Sequence, residues 1–373
     1  MKKTVNNPKL LGKSNKAVIL RTLYSLGPMS RKALAEECKL TKAGVSMIIK
    51  NMLEDQTVLE KGKAESTGRG QKETLIDINY EKFLAASVNI ESDKLHFALC
   101  RLDNIKKKLV CDTSILYSGS PIARIRKRIN EVIKGYEDKI LGLGIGVAGY
   151  VDERAGIVKT SYGLFKENFE LKKELEKFYD FKIVVTNNVK AQAMALIDDD
   201  NTNFLYIKHS PGLGCSVVEN SIVLDGVNQT AGELGHIIIE PEGELCRCGK
   251  KGCLEAYIAE NRIINHYYQN KYEVLDIKEI YDLYQKDKVV TCKLNDCIQK
   301  LSLAVSNASA LIDPKKIVVM GGIFNNENLY RKFKSELKKL YTDKKVARVD
   351  NDEKIKSIAG GRLILKRHLF EVR

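Results

Sequence analysis

The sequence predicts an α/β protein made of two mixed-sheet halves with helices against both faces, preceded by a winged helix-turn-helix. Three observations carry this. Residues 1–80 read as three short helices and a basic hairpin, strands and helices alternate from Phe83 onward, and 373 residues exceed one ordinary core. A content of 44% hydrophobic and 29% charged residues suits a soluble globular chain. No apolar run reaches the roughly eighteen residues of a membrane span. Met1–Pro8 has charge but no apolar centre, unlike a signal peptide. The nine cysteines are an odd number, and Cys38, Cys100, Cys111, Cys215, Cys292 and Cys297 are scattered, so reduced thiols and a cytoplasmic location are expected.

In the N-terminal segment, Asn15–Leu26 places Val18, Ile19, Thr22, Leu23 and Leu26 on one helical face, and Gly27-Pro28 stops it. Ser30 is a suitable N-cap for a second helix, and Thr41 for a third that buries Val45, Ile48, Ile49, Met52 and Leu53. Val58–Lys61 and Thr74–Ile78 read as the strands of a hairpin with a Gly/Lys/Arg-rich tip over 62–72. Residues 1–80 hold 15 Lys/Arg against 8 Asp/Glu, a net +7, which is half of the chain's +14 in about a fifth of its length. Such a local excess is the footprint of a polyanion binder. The third helix is expected to meet bases or phosphates through Thr41, Lys42, Ala43 and Ser46, with Lys50 on the same open face. Arg69 and Lys72 on the wing would reach the backbone or minor groove. A helical interaction module that never meets DNA is the blander alternative. One such unit offers little interface, so operator binding is expected from a homodimer or homotetramer.

Beyond it, 83–89 and 94–101 read as a strand pair, with a third strand over 108–114 and a helix over 122–135. Ile140–Gly149 is a buried strand that runs into a glycine turn. A helix at 171–179, a strand at 182–185 and a helix at 191–197 follow, then strands at 204–208, 216–219 and 222–225. The remainder is helical over 254–270 and 292–311, with a strand at 317–322 that ends in a Gly pair and a last helix from about 358. The expected domains are residues 1–80, and residues 81–373 in two lobes (about 81–195 with 358–373, and about 196–357).

The most informative stretch is Glu233–Glu255. His236, Cys246, Cys248 and Cys253 fall within eighteen residues. Three thiolates and an imidazole complete a tetrahedral zinc shell and leave no position for an activated water, so the expected ion is structural Zn2+. Gly249 and Gly252 allow the tight turns that aim the sulfurs at one point.

Gly-Glu-Leu-Gly-His at 232–236, followed by Cys-Arg-Cys-Gly-Lys-Lys-Gly-Cys-Leu-Glu at 246–255, resembles the signature of the ROK family of repressors and sugar kinases. The turn Gly144–Asp152 and the pair Gly321-Gly322 resemble that family's glycine turns, and the winged helix in front resembles its xylose-repressor type. The resemblance implies an actin-like, two-lobed sugar-kinase fold with a monosaccharide in its cleft. It implies zinc ligands at His236, Cys246, Cys248 and Cys253, and sugar-hydroxyl acceptors at Glu233 and Glu255 with His236 nearby. Ionised carboxylates suit that task, since each accepts several hydrogen bonds and charged acceptors are strong.

Departures from the kinase pattern carry the functional expectation. Where family kinases hold an Asp general base, the stretch is Thr186-Asn187-Asn188-Val189-Lys190, and an amide at Asn188 cannot take a hydroxyl proton. The Asp-x-Gly-Gly-Thr phosphate cradle is replaced by Asn89-Ile90-Glu91-Ser92-Asp93, and Gly212–Ser216 keeps the second phosphate turn only in part. The expected protein is a sugar-responsive repressor with no catalytic residue, in which Asn187 and Asn188 are amide partners of the sugar and xylose is the first candidate. An ATP-dependent sugar kinase with an appended DNA-binding domain is the alternative. A scaffold that binds a corepressor and no sugar is the third reading.

Overall fold

Ser30 and Thr41 organise the N-terminal segment as their types require. The computed structural model describes residues 8–63, 73–117, 119–161, 164–198, 201–340 and 344–370. Helix α1 (Pro8–Leu26) begins seven residues before the apolar periodicity does, with Pro8 at a first-turn position that tolerates a missing N–H. Strand β1 (Met29–Ser30) leads into α2 (Arg31–Glu37), where the Ser30 hydroxyl accepts from the Ala33 N–H at 3.2 Å. Thr41 caps α3 (Lys42–Glu54) by accepting from the Gly44 N–H at 3.1 Å. Strands β2 (Val58–Lys63) and β3 (Thr74–Ile78) pair antiparallel with Val58 opposite Ile78, and β1 joins β3 with Met29 opposite Ile76. Ile19, Leu23, Leu34, Val45, Ile49, Met52, Ile76 and Ile78 form the buried interior. Three helices and a three-stranded sheet in order β1-β3-β2 make the winged helix-turn-helix. Arg69 and Lys72, expected at the wing, lie outside the described residues.

The chain packs as two units, the first comprising Met1–Val147, Ala155–Thr186 and Ser357–Arg373, the second Ala148–Arg154 and Asn187–Lys356. The first contains β4 (Leu84–Ile90), β5 (Lys94–Cys100), β6 (Ile105–Asp112), α4 (Pro121–Ile133) and β7 (Ile140–Val147). Strand β8 (Tyr150–Asp152) falls in the second unit. The chain returns to the first with β9 (Ile157–Thr160), α5 (Leu171–Glu176) and most of β10 (Lys182–Asn187). The sheet order is β10-β7-β4-β5-β6, antiparallel from β4 through β6 and parallel between β4 and β7. All seven residues of β4 are buried, as a central strand covered on both faces requires.

Within this unit the winged helix touches the last helix. Arg21 donates to the Phe370 carbonyl at 3.1 Å, and the Tyr24 and Phe370 rings lie 5.6 Å apart. Both contacts join α1 to the end of the last helix. That helix crosses the central sheet where Gly360 meets Gly144, and a Cβ at either glycine would sit 2.0 Å from the other's carbonyl oxygen.

The second unit holds α6 (Asn188–Leu196), β11 (Phe204–His209), β12 (Leu213–Glu219), β13 (Ile222–Val223), α7 (Glu255–Ile258), α8 (Glu260–Lys271), α9 (Ile277–Asp282), α10 (Lys288–Ile312), β14 (Lys316–Met320), α11 (Glu327–Leu340) and β15 (Lys345–Arg348). Helix α12 (Asp352–Phe370) starts here and continues into the first unit. The sheet order β13-β12-β11-β14-β15 repeats that of the first unit. Numbered within each sheet, both run 3-2-1-4-5, a duplicated topology with no visible sequence repeat.

Several expected boundaries move. Helix α6 starts at Asn188, three residues before the predicted one, and belongs with the second unit rather than the first lobe. Val189 and Ala193 on it share a core with Phe204, Tyr206, Val218, Val318 and Met320. The single helix expected over 254–270 is broken at Ala259, whose ψ of 142° is extended. Strands β8, β9 and β15 and helices α9 and α11 are additions, and α12 begins six residues earlier than expected.

Candidate functional site

The loop between β13 and α7 is shaped by glycines where backbone segments cross. Gly252 has φ +75°, and a Cβ there would lie 1.9 Å from the Glu240 carbonyl oxygen. Gly232, at φ +92°, passes so near Cys215 that a Cβ would come within 2.5 Å of its carbonyl oxygen. Backbone bonds from Cys246 N–H to the Lys250 carbonyl at 2.8 Å and from Leu254 N–H to the Ile237 carbonyl at 3.0 Å close the loop. Closure gathers the ligand atoms of His236, Cys246, Cys248 and Cys253 within 4.8 Å of one another. Cys248 Sγ is 3.6 Å from Cys253 Sγ, and Cys246 Sγ is 3.7 Å from His236 Nδ1. A tetrahedral ion with metal–sulfur bonds of about 2.3 Å sets sulfur–sulfur edges of about 3.8 Å, so the arrangement fits a metal. All four sequence-predicted ligands therefore converge.

His236 links this cluster to the acidic side chains. Its Nδ1 faces the sulfurs, and its Nε2 lies 3.9 Å from a Glu233 carboxylate oxygen, near but beyond hydrogen-bond length. The Glu233 side chain is 59% exposed, so water reaches it from one side. Protein crowding on the other side nevertheless raises its carboxyl above the usual range; His236 and Lys190 oppose this and the Glu255 carboxylate adds to it.

Glu255 is the first residue of α7 and is buried. Its Oε2 accepts from the Leu213 N–H at 3.2 Å, and its Oε1 accepts from Arg247 Nη2 at 2.9 Å. Gly212 permits this approach, because a Cβ there would come within 2.9 Å of Oε2. Arg247 was not expected at the site. The signal for it was its place between two cysteine ligands, from where a long side chain can reach the end of the motif.

Asn187, expected as an amide partner of a sugar, also has a structural task. It caps α6, with Oδ1 accepting from the N–H groups of Val189 at 2.8 Å and Lys190 at 3.2 Å, while Nδ2 donates to the Gly149 carbonyl at 2.8 Å. A sugar would meet an amide already committed to backbone, because a strand-to-helix turn needs a cap more than a spare donor. Asn188 is buried at the first position of α6. Beside them Lys190 is held by Asp225 and the Gln229 carbonyl, both at 2.9 Å. Lys190 and Asp225 were also missed by sequence reading, because 35 residues separate the partners.

Asn89 and Glu91, read from the sequence as replacements in a phosphate cradle, lie in the first unit. Asn89 is fully buried and donates to Glu91 Oε1 at 2.7 Å, and Glu91 is itself buried. A buried acid near an incoming phosphate is repulsive. On the winged helix, Thr41, Lys42, Ala43, Ser46 and Lys50 are all exposed along α3, with Met47 beside them at 64% exposure. The Thr41 hydroxyl is engaged as the cap, and Lys50 faces Glu54 at 4.0 Å. None of the helices among the described residues is long and apolar enough to cross a membrane.

The chain is 24% identical over 327 residues to the xylose repressor of Bacillus subtilis strain 168, covering 84% of this chain and 83% of that one. A solved ROK family transcriptional regulator, described as a homolog of the E. coli MLC protein, superposes with a TM-score of 0.79 at 22% identity, over 97% of this chain and 98% of the other. The ROK hexokinase of Thermus thermophilus superposes with a TM-score of 0.63 at 19% identity, over 75% of this chain and 97% of its own length. The family model described as "ROK family" matches residues 91–357. With the cysteine and histidine cluster, the neighbouring glutamates and the duplicated sheet order, this match means that the chain belongs to the ROK family.

Proposed function

We propose that this protein is a sugar-responsive transcriptional repressor of carbohydrate-utilisation genes. The observation that carries the reading is one chain that joins a winged helix-turn-helix to a ROK domain whose phosphoryl-transfer positions hold Asn188, Asn89 and a buried Glu91. Operator DNA is bound by the open face of α3, through Lys42, Ala43, Ser46 and Lys50 near its N-terminal end, in a homodimer or homotetramer. A monosaccharide is held by Glu233, His236 and Glu255, with Asn188 beside them and Asn187 in support as the cap of α6. Xylose is the first candidate, as the name of the B. subtilis relative suggests. The cellular setting is cytoplasmic.

The chemistry at the site is recognition. Glu255 is preoriented by the Leu213 N–H, so its remaining lone pairs have a fixed direction toward a sugar hydroxyl. Zn2+ held by His236, Cys246, Cys248 and Cys253 supplies shape rather than reactivity, since four protein ligands fill a tetrahedral shell. The four-residue cluster places the His236 ring beside the Glu233 carboxylate. A sugar that binds one conformation of this unit better than another shifts operator affinity by that difference in binding free energy.

The alternative is an ATP-dependent sugar kinase, which the hexokinase likeness in fold recommends. It requires a general base, and position 188 holds an amide. Gel-shift titration with upstream fragments of sugar-utilisation genes, with and without pentoses, hexoses and amino sugars, tests the repressor reading. A coupled assay with Mg-ATP and the same sugars tests the alternative. Binding to no fragment, or turnover at ordinary enzyme rates, would reverse the assignment.

A further inference from the structure

Arg247 stands between two residues of the metal cluster, Cys246 and Cys248, without joining it. Its guanidinium instead donates to Glu255 Oε1 at 2.9 Å. The two side chains are unequally exposed: 59% for Arg247 and 10% for Glu255. The carboxylate is therefore fixed from the inside, by the Leu213 N–H on Oε2, while its outer oxygen carries a solvent-facing partner. A carboxylate offers about four acceptor positions, so the guanidinium takes one of the few that a sugar could use. Its charge is matched by that carboxylate, whereas a sugar hydroxyl is neutral.

Exposure on the arginine side makes the pair displaceable: water already hydrates the guanidinium, and salt weakens its attraction to the carboxylate. A sugar that brings several hydroxyls to Glu233 and Glu255 together can exceed this. The loop is anchored by its backbone bonds and by the four-residue cluster, so it keeps its shape when Arg247 swings out.

We propose that Arg247 is a competing occupant of the effector carboxylate. Without sugar its guanidinium holds Glu255 Oε1; a neutral sugar hydroxyl displaces it, so Arg247 sets the affinity threshold and makes sugar binding tighter as ionic strength rises. The proposal rests on the reading that Glu255 is a sugar acceptor. It also specifies the effector class as an uncharged sugar, because an anionic substituent would keep the guanidinium at the site instead of expelling it.

The test is calorimetric titration of the full-length, zinc-loaded protein with D-xylose, D-glucose and N-acetyl-D-glucosamine at low and high NaCl. It compares the natural chain with Arg247→Met and Arg247→Lys, with metal content measured for each. The expected result is binding about two- to fivefold tighter in Arg247→Met at low salt, the order of one partly exposed charge pair removed as a competitor. Arg247→Lys should lie between, since an ammonium competes without the planar fork. In the natural protein, affinity should rise with salt; in Arg247→Met it should stay flat. Weaker binding in Arg247→Met would make Arg247 a direct sugar contact and overturn the proposal. So would affinity in the natural protein that falls with salt or ignores it, a readout that needs no variant. Sugar binding that is normal in the natural chain and indifferent to both changes removes this proposal alone. Binding of no sugar by the natural chain removes the sugar-site reading itself.

Discussion

Replacing Cys248 with serine should remove the metal and much of the stability of the second unit. Cys248 is the exposed ligand of the four, so the substitution buries no new polar group and leaves the packing around it alone. What it removes is one corner of the cluster, at 3.6 Å from Cys253 Sγ. Backbone bonds also close the loop, among them Ile239–Gly252 and Leu254–Ile237 at 2.9 and 3.0 Å, so the loss is of metal-linked stability rather than of the loop's whole shape. A bound metal at about a thousandfold over its dissociation constant adds about 4 kcal/mol to folding. For a unit of this size, that corresponds to a fall in melting temperature of about 8–16 °C. The assay is metal content by mass spectrometry alongside thermal unfolding with and without chelator. The natural chain should hold about one zinc per chain and lose the stated stability in chelator, whereas Cys248→Ser should be metal-poor and indifferent to chelator. A soluble Cys248→Ser protein with full occupancy would refute the metal assignment.

Three further outcomes follow from the same geometry. Glu255→Gln replaces a charged acceptor by an amide and should weaken sugar binding at least about tenfold in calorimetry, with zinc content unchanged. Gly360→Ala places a methyl where the Gly144 carbonyl oxygen would be 2.0 Å away, and should cost about 1–3 kcal/mol in denaturant unfolding. His209 is fully buried, and burial pushes its imidazole down to about 4, against the opposing pull of the Ile258 carbonyl at 2.7 Å and the Glu255 charge. The unfolded chain takes up that proton below about pH 6.5 while the folded chain does not, so stability is full above that pH and falls as pH drops toward 4, by about 3 kcal/mol. Urea unfolding at pH 7 and pH 4.5 should show this loss in the natural protein and a smaller one in His209→Gln, which separates it from acid release of metal.

The parts of the structure that were legible in the sequence are those built from neighbours along the chain. Ser30 and Thr41 are caps whose bonds reach three residues ahead, and His236, Cys246, Cys248 and Cys253 lie on one loop. Helix α11 carried a usable signal that was passed over, with Leu329, Phe333 and Leu337 buried four residues apart and Asn326 accepting from Asn328 N–H and Leu329 N–H at 3.1 Å. Other features depend on partners far away in sequence. The Gly144–Gly360 crossing, the β1–β3 pairing and the Lys190–Asp225 pair each join segments that carry no local mark of the other. The same is true of α6: which unit it joins is decided by Phe204, Val318 and Met320. At the site, residue types were readable but their states were not. Asn187 has the right chemistry for a sugar and is engaged as a helix cap; Arg247, which no sugar motif marked, holds the Glu255 carboxylate.

The most direct measurement is fluorescence anisotropy of an operator fragment, chosen from upstream regions of sugar-utilisation genes, titrated with the full-length protein and then with D-xylose, D-glucose and N-acetyl-D-glucosamine. Specific binding is expected, weakened by Lys42→Ala with about one unit less salt slope for the lost phosphate contact. One of these sugars should change the affinity, and Glu255→Gln should abolish the change while leaving DNA binding intact. An operator complex that ignores every sugar, or one that responds equally well in Glu255→Gln, would contradict the repressor reading.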